Sequence, residues 1–132
     1  MNNYLKMLMA IVGSFVVLWL SDIVFNSYLL ADLYLKDPSL WLIQTDKVSN
    51  VILVTQVLFS IAFVLFFTDV YKGEGMPEGL RFGAYLGSIL AISKFSLYAY
   101  MPIPLEITMY QSIAMFLSSV ACGITTGLIY AE

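Results

Sequence analysis

The sequence predicts an all-α integral membrane protein: an antiparallel four-helix bundle with a short interfacial helix between helices 1 and 2. Three observations carry that expectation. Hydrophobic residues make up 61% of the chain and charged ones only 11%, whereas soluble domains average about 45–50% and about 25%. The apolar residues are gathered into four long runs. Between the runs lie connections that hold most of the charges and all four prolines.

A helix needs about 20 residues to cross the hydrocarbon core. Four segments qualify within a single domain, residues 1–132: Leu5–Leu30, Val48–Thr68, Leu80–Met101 and Ile107–Tyr130. Lys6 precedes an uncharged apolar stretch that starts at Met7, but no small-x-small cleavage site follows, so the segment reads as a retained helix and not as a signal peptide. The second and fourth segments carry no charged side chain. Backbone polar groups cannot be left open in lipid, so helices are the form such runs take.

The connection Ala31–Lys47 is too apolar for a free loop, with Leu33, Leu35, Leu40, Trp41, Leu42 and Ile43. Asp37 as N-cap and Pro38 at the first helical position predict a short interfacial helix, with Trp41 at headgroup depth. The connection Asp69–Gly79 is a polar turn rich in Gly, and Pro77 with Glu78 would open the next helix. Pro102-Ile103-Pro104 makes the last turn tight, and short loops join antiparallel neighbours.

Lys6, Lys72 and Arg81 fall on the side that holds both termini, against Lys36 and Lys47 on the other. The positive-inside rule then puts both termini in the cytoplasm. Tyr71 and Tyr130 would anchor the inner interface, Tyr34 and Trp41 the outer one.

Apart from Lys6 and Arg81 at the segment starts, two charges stand inside the apolar segments, Asp22 in the first and Lys94 in the third. An intramembrane charge costs about 2.5–3.5 kcal/mol on insertion scales and normally finds an internal partner. Both enter from the same side to similar depth, which makes them candidate partners. Asn26 follows Asp22 by one turn, Gln56 and Gln111 enter from that side, and Tyr98 shares a stripe with Lys94, Gly87 and Ala91. These residues form one outer-half polar cluster with three readings: an ion pair with amide partners that fixes packing, a pocket for a small solute or lipid headgroup, or a Lys94 that snorkels to the interface.

Small residues recur four apart as Gly83, Gly87 and Ala91 on the third span, and as Ser119, Gly123 and Gly127 on the fourth. That spacing lets two helix backbones approach closely, either within the chain or against another chain. The exclusions are equally informative. There is no His and one Cys, Cys122, so His-ligated metals or haem, a Ser-His-Asp triad and an intrachain disulfide cannot be built. No acid, base or nucleophile set points to an enzyme, no metal or cofactor site is implied, and no basic patch invites nucleic acid.

Several stretches resemble a group of uncharacterised small bacterial inner-membrane proteins with four predicted spans. The most specific are Glu74-Gly75-Met76-Pro77-Glu78-Gly79-Leu80-Arg81-Phe82-Gly83 and Tyr98-Ala99-Tyr100-Met101-Pro102-Ile103-Pro104, with Leu29-Leu30-Ala31-Asp32-Leu33-Tyr34 and Gly127-Leu128-Ile129-Tyr130 beside them. In that group Asp22 matches an acidic position followed by Trp-His-Gly. Here those places are Phe25-Asn26-Ser27, so any role of that His is absent, and Lys94 is a departure too. The resemblance implies a multi-pass protein of the bacterial inner membrane and brings no activity.

The functional expectation is a non-catalytic structural or accessory subunit of a larger inner-membrane assembly, respiratory or photosynthetic. Its partners would be the lipid bilayer and other membrane chains or a second copy of itself. The alternative is a carrier that binds a small solute or lipid in an outer-half pocket around Asp22 and Lys94.

Overall fold

A computed structural model describes residues 2–36 and 46–132 of the chain. Among them the regular structure is helical throughout. Helix α1 (Asn3–Asp22) runs into a π-helical segment (Ile23–Leu29), and a short α2 (Ala31–Leu35) follows. Then come α3 (Asp46–Val70), α4 (Met76–Ser96) with a 3-10 turn at its end (Leu97–Ala99), and α5 (Leu105–Ala131). Four stretches are long and apolar enough to cross a membrane: Asn3–Leu29, Ser49–Val70, Met76–Ala99 and Leu105–Ala131. The interfacial helix expected from Pro38, with Trp41, lies outside the described residues.

The outer surface is apolar. Leu58, Phe66, Ile89 and Ile92 are largely exposed, whereas the fully buried large side chains are few and include Phe63, Phe67, Leu30 and Val64. In water such a surface would be an aggregation patch; against acyl chains it is the compatible one.

Local chemistry explains the helix starts. The Asn2 side chain accepts a hydrogen bond from the Tyr4 amide and caps α1. Helix α4 begins at Met76, ahead of the expected span, because Gly75 adopts a left-handed φ of 72° and Pro77 occupies the first turn. Glu78 is nearly buried there, and its carboxylate accepts from the Lys72 amide at 2.7 Å and the Glu74 amide at 3.1 Å. Those bonds tie the α3–α4 connection to the first turn of α4. Arg81 pairs with Glu74 at the surface.

Helices α4 and α5 meet backbone to backbone. Gly79 faces Gly123, Gly83 faces Ser119 and Gly87 faces Phe116, so the partners run in opposite order along the two helices. A methyl group on Gly83 would lie 2.5 Å from the Ser119 carbonyl oxygen, and one on Gly127 would lie 2.7 Å from that of Gly75. Helix α1 docks on another face of α5, where the Ser14 and Thr126 hydroxyls meet at 3.1 Å and the Cys122 thiol donates to the Ser14 carbonyl at 3.6 Å.

Helix α3 is held by rings. Phe63 and Phe67 pack edge-on against Phe82 of α4, with centroids 5.1 and 5.5 Å apart. Phe67 and Tyr71 reach Tyr130 of α5 at 5.8 and 5.4 Å. Edge-to-face geometry at these separations adds about 0.5–1.5 kcal/mol per pair beyond burial. Tyr71 and Tyr130 therefore share one end of the molecule.

Candidate polar cavity

Away from that end lie Asp22, Asn26, Gln56, Lys94 and Gln111, and there the helices do not close on one another. A cavity of about 310 Å³ lies between α1, α3, α4 and α5. Helix α1 and the π-helical segment contribute Asp22 and Asn26, α3 contributes Thr55 and Gln56, α4 contributes Lys94, and α5 contributes Gln111 and Ser118. The apolar part of the wall comes from Leu18, Phe25, Phe59, Ala114 and Met115.

One hydrogen-bonded chain runs into the cavity wall. The Gln111 side-chain amide donates to the Tyr34 hydroxyl at 3.0 Å, and Tyr34 donates to Asn26 Oδ1 at 2.6 Å. Asn26 Nδ2 in turn donates to Asp22 Oδ1 at 2.7 Å. Each donor points toward the carboxylate, which strengthens the terminal charge-assisted bond. Tyr34, placed by sequence at the outer interface, is thus a member of the polar network. Burial pushes its phenol above the usual tyrosine value. The Gln111 hydrogen bond works against that rise, and the nearby Asp22 charge adds to it.

A π-helical segment follows Asp22 and carries Asn26. The Leu30 amide bonds to the Phe25 carbonyl five residues back, at 2.8 Å, closing the wider turn. Such turns are rare and concentrate at functional positions. Nothing in Ile23–Leu29 announces one, so spacing on an ideal α-helix does not foresee it.

Lys94 and Asp22 face the same cavity but form no ion pair, since no contact within 4.0 Å joins them. The direct pairing expected from their matched depths is therefore replaced. The carboxylate is held by Asn26, one turn on, and the lysine lines the same cavity from α4. Gln56 shares the wall, and its Oε1 is buried without a hydrogen-bond donor. Tyr98 is not brought in; it is exposed and packs beside Phe95, with centroids 6.5 Å apart. Ser118, which shares a face of the fourth span with Gln111 in the sequence, lines the cavity too; Thr55 and Ser21 do so without having stood out as candidates, because hydroxyls on membrane helices usually bond their own backbone. Thr55 does so, donating to the Val51 and Ile52 carbonyls.

The small-residue stripes are used within the chain. Gly83 and Gly87 lie against Ser119 and Phe116, and Gly123 and Gly127 lie against Gly79 and Gly75. Gly79 and Gly75 extend the seam beyond the stripe read from sequence. Ala91 sits instead on an open apolar groove of about 340 Å³ with Ser88, Ile92, Ser112, Ile113 and Phe116. Among the described residues, no group of three His, Cys, Asp or Glu side chains could hold a metal ion.

No protein-family model, curated protein or solved structure matches the chain. The cavity's own chemistry therefore carries the functional reading.

Proposed function

We propose that this protein is a multi-pass membrane protein, an antiparallel bundle of four spans, that binds a small polar solute or a lipid headgroup in the cavity around Asp22 and Lys94. One observation carries the reading: opposite charges and amides line a common void without neutralising each other. A bundle that used Asp22 and Lys94 only for packing would bring them into contact, because burying separated charges is expensive. The void is at the small end of ligand pockets, which run about 300–1,000 Å³.

The accessory-subunit reading rested on the lack of catalytic chemistry and of soluble domains together with small-residue faces suited to docking. Those faces are largely occupied by each other, which takes away its positive support. Orientation follows the charge distribution of the connections, with both termini on the cytoplasmic side.

The test is to fill the cavity. Ala114 lines it, and Ala114→Phe would place a ring in the void. Native mass spectrometry after mild extraction is expected to show a bound small molecule on the wild type and its loss in Ala114→Phe. A wild type that carries and accepts none, or a variant that keeps it, would overturn the proposal.

A further inference from the structure

We infer that the ligand is a zwitterion, with a primary ammonium group held by Asp22 and Gln56 and an anionic oxygen held by Lys94. This rests on the pocket reading above and adds the chemical class. The unmatched groups decide it. On the acceptor side, Asp22 gives Oδ1 to Asn26 and keeps Oδ2 without a donor among the described residues. Gln56 Oε1 is buried and accepts nothing. On the donor side, the Lys94 ammonium has three N–H groups and no carboxylate within ion-pair distance.

A simple anion would satisfy Lys94 and leave two acceptors open. A simple cation would do the reverse. A ligand with three N–H donors at one end and an anionic oxygen at the other satisfies both sets, and the void of about 310 Å³ suits a molecule of that size. A quaternary ammonium cannot donate to Oδ2 or Oε1, so methylation of the nitrogen should weaken binding. The same chemistry occurs in the headgroup of phosphatidylethanolamine and in free phosphoethanolamine.

The experiment uses the full chain, delipidated in detergent, with retention measured by native mass spectrometry. Phosphatidylethanolamine, phosphatidylglycerol and phosphatidylcholine are offered separately, and phosphoethanolamine and ethanolamine are offered as soluble probes. Phosphatidylethanolamine or phosphoethanolamine is expected to bind at least about tenfold more tightly than the anionic, methylated or cation-only probes. Lys94→Met and Asp22→Asn should each weaken it by at least about tenfold, with Lys94→Arg retaining most of it. If only the lipid binds, the headgroup is the source; if the soluble probe binds as well, a free solute suffices. Both results support the inference.

Equal retention of phosphatidylglycerol or phosphatidylcholine would overturn the zwitterion assignment and leave a pocket. Failure of every probe, together with no endogenous ligand, would remove the pocket reading too. The headgroup series on the wild type decides the matter even where a substituted chain fails to fold.

Discussion

Adding a single methyl group to the α4–α5 seam should separate the two helices. A Cβ on Gly79 would run into the Gly123 carbonyl oxygen, and one on Gly123 into that of Gly79. On Gly83 it would stand 2.5 Å from the Ser119 carbonyl and 2.9 Å from the Val120 Cα. Backbone cannot rotate aside as a side chain does, so the helices must move apart along the seam. Overpacking of this kind typically costs about 1–3 kcal/mol, and Gly79→Ala and Gly123→Ala should sit at or above the top of that range. Gly87→Ala is milder, with a closest approach of 3.0 Å to a Ser119 side-chain atom. Gly13→Ala is milder still, because its Cβ would meet only side-chain methyl groups of Thr125 and Ile129 at 3.1 and 3.3 Å. Thermal unfolding in one detergent should therefore rank the melting temperatures Gly13→Ala highest, then Gly87→Ala, Gly83→Ala, and Gly79→Ala with Gly123→Ala lowest. An unchanged melting temperature for Gly79→Ala, or Gly13→Ala as the most damaging of the set, would refute the seam.

Further outcomes follow from the polar end and the turn. Tyr34→Phe removes the hydroxyl between Gln111 and Asn26, and leaving those part-buried groups unmatched should cost about 1–3 kcal/mol in detergent unfolding; the exposed Tyr28→Phe should cost almost nothing. The same phenol gives a pH dependence. Its folded value is raised above the unfolded one near 10, so the folded chain holds that proton more tightly. Its contribution is complete below about pH 10 and is lost as pH rises through the folded value, so Tyr34→Phe should lose less stability than wild type as pH is raised above about 10. Glu78→Ala should cost about 1–3 kcal/mol, because the Lys72 and Glu74 amides lose a charged acceptor, and hydrogen exchange at those two amides should rise. Lys94→Met should cost less than the about 3–5 kcal/mol expected when a contact ion pair is broken; a loss of that size would show that Lys94 and Asp22 meet in solution.

Much of the fold was legible because hydrocarbon imposes simple demands. Runs such as Val48–Thr68 and Ile107–Tyr130 have no charge to argue against spanning, and the Gly-rich and Pro-bounded connections mark where helices stop. Most members of the polar cluster, Asp22, Asn26, Gln56, Lys94 and Gln111 though not Tyr98, were legible, because a charge or amide in a lipid-facing run stands out. Its contacts were less so. Asn26 follows Asp22 by one turn, but that it rather than Lys94 takes the carboxylate depends on the distance between helices, and the π-helical turn itself leaves no periodicity in Ile23–Leu29 to read. Tyr34 shows the same limit: the sequence suggested an interface anchor, but its bond to Gln111, 77 residues away, depends on how α2 folds back. Gly79 and Gly75 escaped the stripe because they sit at the entrance to α4, where glycine reads as a turn residue before it reads as packing.

The close-packed seam and the open cavity are two consequences of one arrangement. At the end that holds Tyr71 and Tyr130, glycine lets α4 and α5 touch and the ring cluster fixes α3 against both. Moving along α4, the clearance for an added methyl grows from the collision at Gly79, through 2.5 Å at Gly83, to 3.0 Å at Gly87. Beyond Gly87 α4 has no further glycine, and the apolar groove at Ala91 and the polar cavity at Lys94 open along the same half of these helices. Helix separation thus follows side-chain size, with α1 attached to α5 through Ser14 and Thr126 at the tight end and through the Tyr34 network at the open one. Side chains added at the glycine seam should therefore reach the cavity through the helices themselves. A ligand seated between Asp22 and Lys94 would restrain the one half of the bundle that the glycines and rings do not.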